Sequence, residues 1–403
     1  IYLVVQKMYD KTKVKAFSSI RLKYLCDITT GNKDTKNATF NGIYPFYVRS
    51  PIIEKCDTYS FDGEGILVAG DGAGAGRIFH YANGKYAVHQ RAYRLYNFKC
   101  EPRFLVYYLS SIFPKEMDKG SNQTTVPSMR LPMLSNFAVN IPSKKYQKNI
   151  VFFLDKKCAE IDILHTNIES QIKILEEYKK SIITEAVKKG LDSNVEMKDS
   201  GSVYWKYIPA NWGLSDIKYL FEIVKRIAGK EGYDILSVTQ KGLKIKDMSK
   251  NTGQIAESYA NYQFVYPTDF VMNHMDLLTG WVDCSKYFGV TSPDYRVFRL
   301  KDNRNNLNYF KYVMQCCYMN KIFYSLGRGV SNLGRWRLQT ESFNNFKIPV
   351  PPYEEQQKIS KYLDEKLLEI NNIMNQKKNQ LETLNQYKKS LIYEYVTGKK
   401  EVE

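Results

Sequence analysis

The sequence predicts an α+β protein in which two mixed α/β domains are joined by two long helices that pack as an antiparallel coiled coil. Three observations predict this fold class: a gapless internal repeat, the helical pattern of both copies of that repeat, and the strand-like pattern of the segments between them. The predicted parts are a first domain, a central long helix with a linker, a second domain and a C-terminal long helix, which comprise residues 1–135, 136–204, 205–344 and 345–403.

The internal repeat has a fixed offset of 209 residues. Residues 136–190 match residues 345–399 at 19 of 55 positions without a gap. For example, Asp155 corresponds to Asp364, and Tyr178 corresponds to Tyr387. A gapless match of this length indicates that both copies form one rigid element.

The pattern of this element is helical. Neither copy contains an interior Pro or Gly beyond its first residues, and about 40 residues of helix would extend about 60 Å. The apolar residues that recur at heptad spacing, and that we expect to pack one helix on the other, are Ile161, Ile168, Leu175, Ile182, Ile370, Leu384 and Leu391. An antiparallel pair would place the two domains at opposite ends of a rod.

A second heptad position is predicted three residues after the first. It holds Leu164 and Tyr178 in one copy, and Ile373 and Tyr387 in the other. The prediction also places Gln171 and its repeat partner Gln380 on this seam. A polar residue there either fixes the register of the two helices or marks a solvated gap.

The two segments between the helices predict strands. Short apolar and aromatic runs, such as residues 65–69, 93–96 and 295–300, alternate with Gly, Asn and Asp. Residues 92–95 weakly resemble residues 294–297, which aligns Tyr93 with Tyr295. The globular repeat needs gaps, whereas the helical repeat does not, so we expect similar folds with different surfaces.

Charge is concentrated in the two predicted domains. The chain has a formal net charge of +17, of which residues 1–135 carry +8, residues 205–344 carry +7 and each helical part carries +1. Two basic domains joined by near-neutral helices indicate two contacts with one polyanion, first of all a nucleic acid. An anionic membrane surface is the competing partner, although no run of 18 apolar residues is present.

No sequence motif predicts a bound metal or cofactor. The four histidines lack metal-ligand spacing, and the seven cysteines form no Cys-x-x-Cys pair, which favours a reducing, cytoplasmic compartment. Residues 70–75 fit a loose Gly-x-Gly-x-x-Ala pattern. Because a strand pattern follows them, a glycine-rich hairpin is preferred over a dinucleotide site. We expect no metal and no cofactor in this chain.

Four segments, in this order, carry a resemblance to a known family. Residues 63–74 resemble a hairpin that is common in the domains of that family, and residues 208–212 resemble the sequence that opens those domains. Residues 288–295 resemble another typical segment of those domains, and residues 345–359 resemble the start of the family's long helical region. Together they are typical of the specificity subunits of type I restriction–modification systems. The chain departs from that family at its start, since the first domain lacks an Ile-Pro-x-x-Trp opening.

The resemblance implies that each domain is a target-recognition domain that reads one half of a split, asymmetric DNA site. It implies that the helices set the spacing of the halves and bind two methyltransferase (modification) subunits, which restriction subunits join. The chain itself would be non-catalytic, and S-adenosylmethionine would be bound by the methyltransferase subunits. Because the domains differ in length and sequence, the half-sites are expected to differ.

Candidate DNA-binding residues follow from side-chain chemistry. Arg, Lys, Asn and Gln can reach guanine or adenine edges, and Asp can accept a hydrogen bond from cytosine. The candidates, most of which fall in predicted loops of the two domains, are Arg49, Asp71, Arg77, Gln90, Arg91, Gln123, Gln240, Lys241, Asn273, Arg328, Asn332 and Arg335.

Two other classes of protein stay open at this stage. A stand-alone DNA methyltransferase or nuclease with its own recognition domain would need a cofactor or catalytic motif, and none is evident. A coiled-coil scaffold protein would carry its charge on the helices, whereas the charge lies in the domains.

Overall fold

A computed structural model describes residues 16–120, 127–247, 257–329 and 336–402. The chain divides into two compact units. The first unit comprises Ile1–Glu169 and Lys378–Glu403, and the second comprises Ser170–Lys377.

The first unit is built on a four-stranded antiparallel sheet. Its elements, which lead into the first long helix, are β1 Ser18–Arg21, β2 Asp27–Thr30, β3 Tyr44–Tyr47, β4 Glu54–Cys56, β5 Gly65–Ala69, β6 Phe79–Ala82, β7 Ala87–Val88, β8 Ala92–Tyr96, α1 Pro102–Gly120, α2 Leu131–Ser135, β9 Ala138–Ile141 and α3 Lys144–Lys189, with 3-10 turns at Leu22–Tyr24 and Thr35–Asn37. The sheet order is β2-β8-β5-β6, and β4-β3-β7 and β1-β9 form smaller sheets. All five residues of β5 are buried, as an apolar central strand requires.

The second unit contains a sheet of the same design. Its elements are β10 Met197–Asp199, β11 Tyr207–Pro209, β12 Gly213–Asp216, α4 Ile217–Leu220, β13 Phe221–Val224, β14 Leu236–Thr239, β15 Gly242–Ile245, β16 Gln263–Val265, β17 Phe270–Met272, β18 Val282–Cys284, β19 Gly289–Thr291, β20 Arg296–Leu300, α5 Leu307–Met319, α6 Ile322–Ser325, α7 Thr340–Asn344, β21 Lys347–Val350 and α8 Tyr353–Val396. The order β13-β20-β17-β18 repeats the order of the first sheet, and β10-β11, β12-β21, β14-β15 and β16-β19 form pairs.

A buried glutamine attaches each domain to its long helix. In the first unit, Gln147 donates to the carbonyl of Pro142 at 2.7 Å and accepts from the amide of Glu101 at 2.8 Å. In the second unit, its repeat partner Gln356 donates to Pro351 at 2.9 Å and accepts from Asn306 at 2.8 Å. The start of α3 is thereby fixed to the start of α1, and the start of α8 to the start of α5.

Within each unit, α3 and α8 run antiparallel. In the first unit, Lys388 donates to both oxygens of Asp162 at 2.6 and 2.8 Å, and Asn385 Nδ2 lies 3.5 Å from His165 Nε2.

In the second unit, Lys377 donates to Gln171 at 2.5 Å, and Lys179 donates to Asn371 at 3.2 Å. As α3 ascends in number, α8 descends. A coiled coil over the full length of both helices stays a prediction.

The predicted first seam position is buried or half-buried throughout. The buried members are Ile161, Ile182, Ile370 and Leu391, and the half-buried members are Ile168, Leu175 and Leu384.

The second seam position was predicted one residue too early. Its four predicted members are between 36% and 54% exposed, and Gln171 and Gln380 are exposed as well. The structure instead buries or half-buries residues four positions after the first set, among them Ile172, Ala186, Met374 and Leu381. In a heptad, the second buried position can follow the first by three or by four residues. The apolar residues at 164 and 178 favoured the spacing of three, whereas the structure has the spacing of four.

No helix within the described ranges is long and apolar enough to cross a membrane.

Candidate nucleic-acid interface

Three connections of the first unit converge on one carboxylate. Arg49 follows β3, Asp71 follows β5, and Arg91 lies between β7 and β8. Arg49 Nη1 lies 2.8 Å from Asp71 Oδ1, and Arg91 Nη1 lies 2.9 Å from Asp71 Oδ2. The Asp71 side chain is only 18% exposed, whereas that of Arg91 is 65% exposed. We call these three residues the Asp71 triad.

Glycines make this approach of the chain possible. The amide of Gly70 donates to the carbonyl of Arg91 at 3.0 Å, and a Cβ at Gly70 would lie 2.7 Å from that oxygen. Gly72 has a φ of +74°, a conformation that L side chains rarely adopt. The glycine-rich hairpin predicted here is therefore what brings Asp71 beside Arg91.

The triad carries one net positive charge. Burial opposes the ionisation of Asp71, but hydrogen bonds from Arg49 and Arg91 outweigh it and lower the pKa of the carboxyl. Both carboxylate oxygens accept an arginine N–H. Asp71 is thus engaged by two arginines, and a hydrogen bond from cytosine to this carboxylate stays a prediction.

The other three candidates of the first unit differ in their position relative to the triad. Gln90 donates to Asp34 Oδ2 at 2.8 Å, beside Arg91. Arg77 shares a connection with Asp71, but it pairs with Asp118 of α1 at 2.5 Å and shares no contact with the triad. Gln123 lies outside the described residues.

The connection between β17 and β18 contains the candidate Asn273 and is contacted by the candidate Gln240. Gln240, in the turn between β14 and β15, donates to the carbonyl of Thr279 in that connection at 3.3 Å, and Lys241 beside it is exposed. Asn273, which follows β17, accepts from the amide of Met275 at 3.2 Å.

The remaining candidates of the second unit lie farther along the chain. Arg328 is exposed and pairs through its backbone with Arg337. Asn332 and Arg335 lie outside the described residues.

The sequence-based candidates missed two buried polar residues of the second unit. Arg296 Nη2 donates to the carbonyl of Leu338 at 3.1 Å, while its Nη1 is buried without a partner among the described residues. His274 has a buried Nδ1 for which the described part of the chain supplies no hydrogen-bond partner, and burial, with Arg296 and Arg337, lowers its pKa to about 4. The sequence signal for Arg296 was the weak similarity of residues 92–95 to residues 294–297.

That sequence match was out of register by one residue. Tyr93 pairs with Val68 across β8 and β5, and its hydroxyl donates to the carbonyl of Met129 at 3.1 Å. Arg296 pairs with Met272 across β20 and β17, and it donates to Leu338, the repeat partner of Met129. Arg296 is thus the structural counterpart of Tyr93 rather than of Arg94.

No group of three His, Cys, Asp or Glu side chains in the described parts of the chain is arranged to hold a metal ion.

The two domains share one sheet order, differ in their polar connections and are each attached to a long helix. The sequence profile described as the type I restriction modification DNA specificity domain matches residues 15–174 and again residues 209–383. These matches cover more than half of the chain, so the chain belongs to this family, as its sequence resemblance predicted.

Similar proteins agree with this assignment. The chain is 25% identical over 171 residues to the type I restriction enzyme EcoDI specificity subunit of Escherichia coli. The aligned region covers 42% of this chain but only 38% of that subunit. It is 24% identical over 354 residues to the type I restriction enzyme MjaVIII specificity subunit of Methanocaldococcus jannaschii, with 83% of this chain and 78% of that subunit covered.

A solved structure shows the same fold. That structure concerns complex assembly and conformational transition of the type I restriction–modification system. It matches with a TM-score of 0.65 at 12% identity, over 94% of this chain and 97% of that chain. The predicted mixed α/β fold with two repeated domains is thereby confirmed.

Proposed function

We propose that this chain is the sequence-reading subunit of a type I restriction–modification complex and that it recognises a split, asymmetric DNA site. The observation that carries the proposal is the pair of sheets with one strand order and different polar connections. The charge supports it, since the parts that hold these sheets carry +8 and +7. Basic side chains would supply phosphate contacts, and fewer base-edge contacts would set the sequence.

We further propose that α3 and α8 dock two copies of one methyltransferase subunit, which restriction subunits join. The support is a pair of equivalent exposed patches. The first-unit patch comprises Leu164 and Tyr387, which lie at one level because Asp162 contacts Lys388 and His165 contacts Asn385.

The second-unit patch comprises Tyr178 and Ile373, beside the contact between Lys179 and Asn371. These are the repeat partners of the residues in the first-unit patch. Two equivalent patches therefore suit two copies of one partner.

An ion pair borders each patch in the same way. Lys157 pairs with Glu160 at 2.8 Å, and its pKa is raised by Glu160 and, more weakly, by Tyr387.

The repeat partner Lys366 pairs with Glu369 at 2.9 Å, and its pKa is raised by Glu369 and, more weakly, by Tyr178. Exposed aromatic residues bordered by charged side chains are typical of protein interfaces.

In this proposal the chain performs no chemistry of its own. S-adenosylmethionine is held by the methyltransferase subunits, and this chain selects where they act. The two exposed patches bind the catalytic subunits, while the polar connections bind DNA.

The proposal is tested by purifying the chain with its methyltransferase subunit and mapping methylated bases in DNA exposed to the complex. We expect methylation at a defined motif that disappears when this chain is omitted. Methylation that is unchanged without the chain, or a failure of the two proteins to associate, would contradict the proposal.

A further inference from the structure

Arg91 is the most exposed member of the Asp71 triad, and its backbone is fixed on two sides. Its amide donates to Nδ1 of His89 at 3.0 Å, and its carbonyl accepts from Gly70 at 3.0 Å. Burial, with Arg49, lowers the pKa of His89, which favours the neutral imidazole that this hydrogen bond to Nδ1 requires. The backbone of Arg91 therefore has a defined position from which its side chain extends.

The guanidinium of Arg91 is oriented by one hydrogen bond and keeps further N–H donors that are not bonded within the described residues. Only Nη1 is bonded, to Asp71 Oδ2, and the other guanidinium nitrogens have no partner within the described residues. An arginine held by a carboxylate loses less side-chain freedom when it binds, since part of its ordering is already complete. The unbonded N–H groups form a planar donor edge on the surface.

We propose that Arg91 reads a guanine in the half-site bound by the first unit, and that Asp71 and Arg49 are positioning residues for it. This inference rests on the proposed function. The planar donor fork of arginine matches the O6 and N7 acceptors that guanine presents in the major groove.

Arg49 explains why the triad suits DNA. An ion pair of Asp71 and Arg91 without Arg49 would have no net charge, and its uncovered carboxylate oxygen would repel phosphate. With Arg49 on the second oxygen, the triad keeps one positive charge, and both carboxylate oxygens are shielded by donors. Asp71 thus orients Arg91 without presenting a bare negative charge to the DNA.

Conservative variants of the triad test this assignment. In the complex with the methyltransferase subunit, sequence preference is measured on a randomised DNA library with the wild-type chain, Arg91→Lys, Asp71→Asn and Arg49→Lys. Lysine keeps the charge but loses the planar fork. We expect Arg91→Lys to reduce the preference for one guanine roughly 10- to 100-fold, with the other motif positions unchanged.

Asp71→Asn is expected to relax the preference at that same guanine, because Arg91 loses its charged anchor. The matched control is Arg103→Lys, since Arg103 pairs with Asp155 at 2.8 Å where α1 meets α3. This control should leave the motif unchanged. Thermal unfolding of each variant shows that the first unit is still folded, and if Asp71→Asn does not fold, Arg91→Lys decides the question alone.

Two results would overturn the inference while leaving the proposed function intact. One is an unchanged motif in Arg91→Lys. The other is a loss of affinity spread evenly over all sequences, which would assign Arg91 to a phosphate. A wild-type complex without any sequence preference would instead refute the proposed function.

Discussion

The two units share a backbone frame but place different chemistry at its equivalent connection. After β5, Asp71 pairs with two arginines, of which Arg91 is well exposed. After β17, Asn273 and Asp276 are engaged by their own loop, since Asn273 accepts from Met275, and Asp276 accepts from Leu278 and Thr279. The first connection therefore leaves an exposed arginine side chain, whereas these polar side chains of the second connection bond to their own backbone.

The same contrast extends into the interior. The carbonyls of Met129 and Leu338 are repeat partners, and each accepts one side-chain hydrogen bond. The donor is Tyr93 in the first unit and Arg296 in the second. The frame therefore fixes where a donor is needed, while its identity is free to change. If this comparison is right, changes to the frame have equal effects in both units, and changes at the connections do not.

The largest expected effect tests the equivalence of the exposed patches. Leu164→Ala with Tyr387→Ala should weaken binding of one of two methyltransferase copies by about 3 kcal/mol, because exposed apolar anchors dominate interfaces. Tyr178→Ala with Ile373→Ala should have the same effect on the other copy. Native mass spectrometry would read one bound copy instead of two. Ile174→Ala is the control, since Ile174 is exposed but is not repeated in α8; unequal effects of the two double variants would break the equivalence.

The buried glutamines should also be equivalent. Gln147→Ala and Gln356→Ala each leave a backbone amide and a carbonyl without a partner, and each should reduce the stability of its own unit by about 2 kcal/mol. Hydrogen exchange at α1 and α5 would measure the two losses separately. Gln380→Ala, at an exposed position of α8, should change neither by more than about 0.5 kcal/mol. A large loss in only one unit would argue against a shared frame.

Acidification should act on the second unit through His274. Its folded pKa of about 4 lies below the ordinary value of 6.5, so the unfolded chain takes up the proton first. The stability is fully present above pH 6.5 and is lost as the pH falls from 6.5 towards 4, by about 2 kcal/mol after allowance for partial exposure. Hydrogen exchange of the second unit at pH 7.5 and pH 5 would measure the loss. His274→Gln should remove this pH dependence, and an unchanged pH dependence in that variant would exclude His274 as its source.

The smallest effect concerns the interior donor of the first unit. Tyr93→Phe removes the hydrogen bond to Met129 and should cost about 1 kcal/mol, because the carbonyl loses its side-chain donor. Denaturant unfolding of the first unit would show it. Tyr96→Phe on the same strand is the comparison, and equal losses in the two variants would mean that the bond to Met129 has no special weight.

The sequence predicted the two long helices and one of their buried positions well, because residues that pack one helix on another recur at a regular spacing. The first seam position lies at the predicted residues, whereas the second was misplaced since Leu164 and Tyr178 are apolar but exposed. The sequence similarity between the two sheets is weaker. The match of Tyr93 to Tyr295 was one residue out of register because the connecting loops differ in length. Exposed apolar residues on a helix are indistinguishable from core residues in a sequence.

The candidate site was predictable as a set of residue types but not as a geometry. Side-chain chemistry and predicted loops suggested Arg49, Asp71 and Arg91 separately. Their ion pairs join residues that are 20 and 22 positions apart, and no local pattern encodes such pairs. His274 and Arg296 were missed because burial, not sequence neighbourhood, makes them unusual.

The central claim is that the two units read unlike halves of one split DNA site. Single-molecule methylation mapping of DNA exposed to the full complex tests it most directly. The account predicts two unlike specified blocks separated by a fixed number of unspecified bases, with a guanine in the block that changes in Arg91→Lys. A continuous palindromic motif would contradict it.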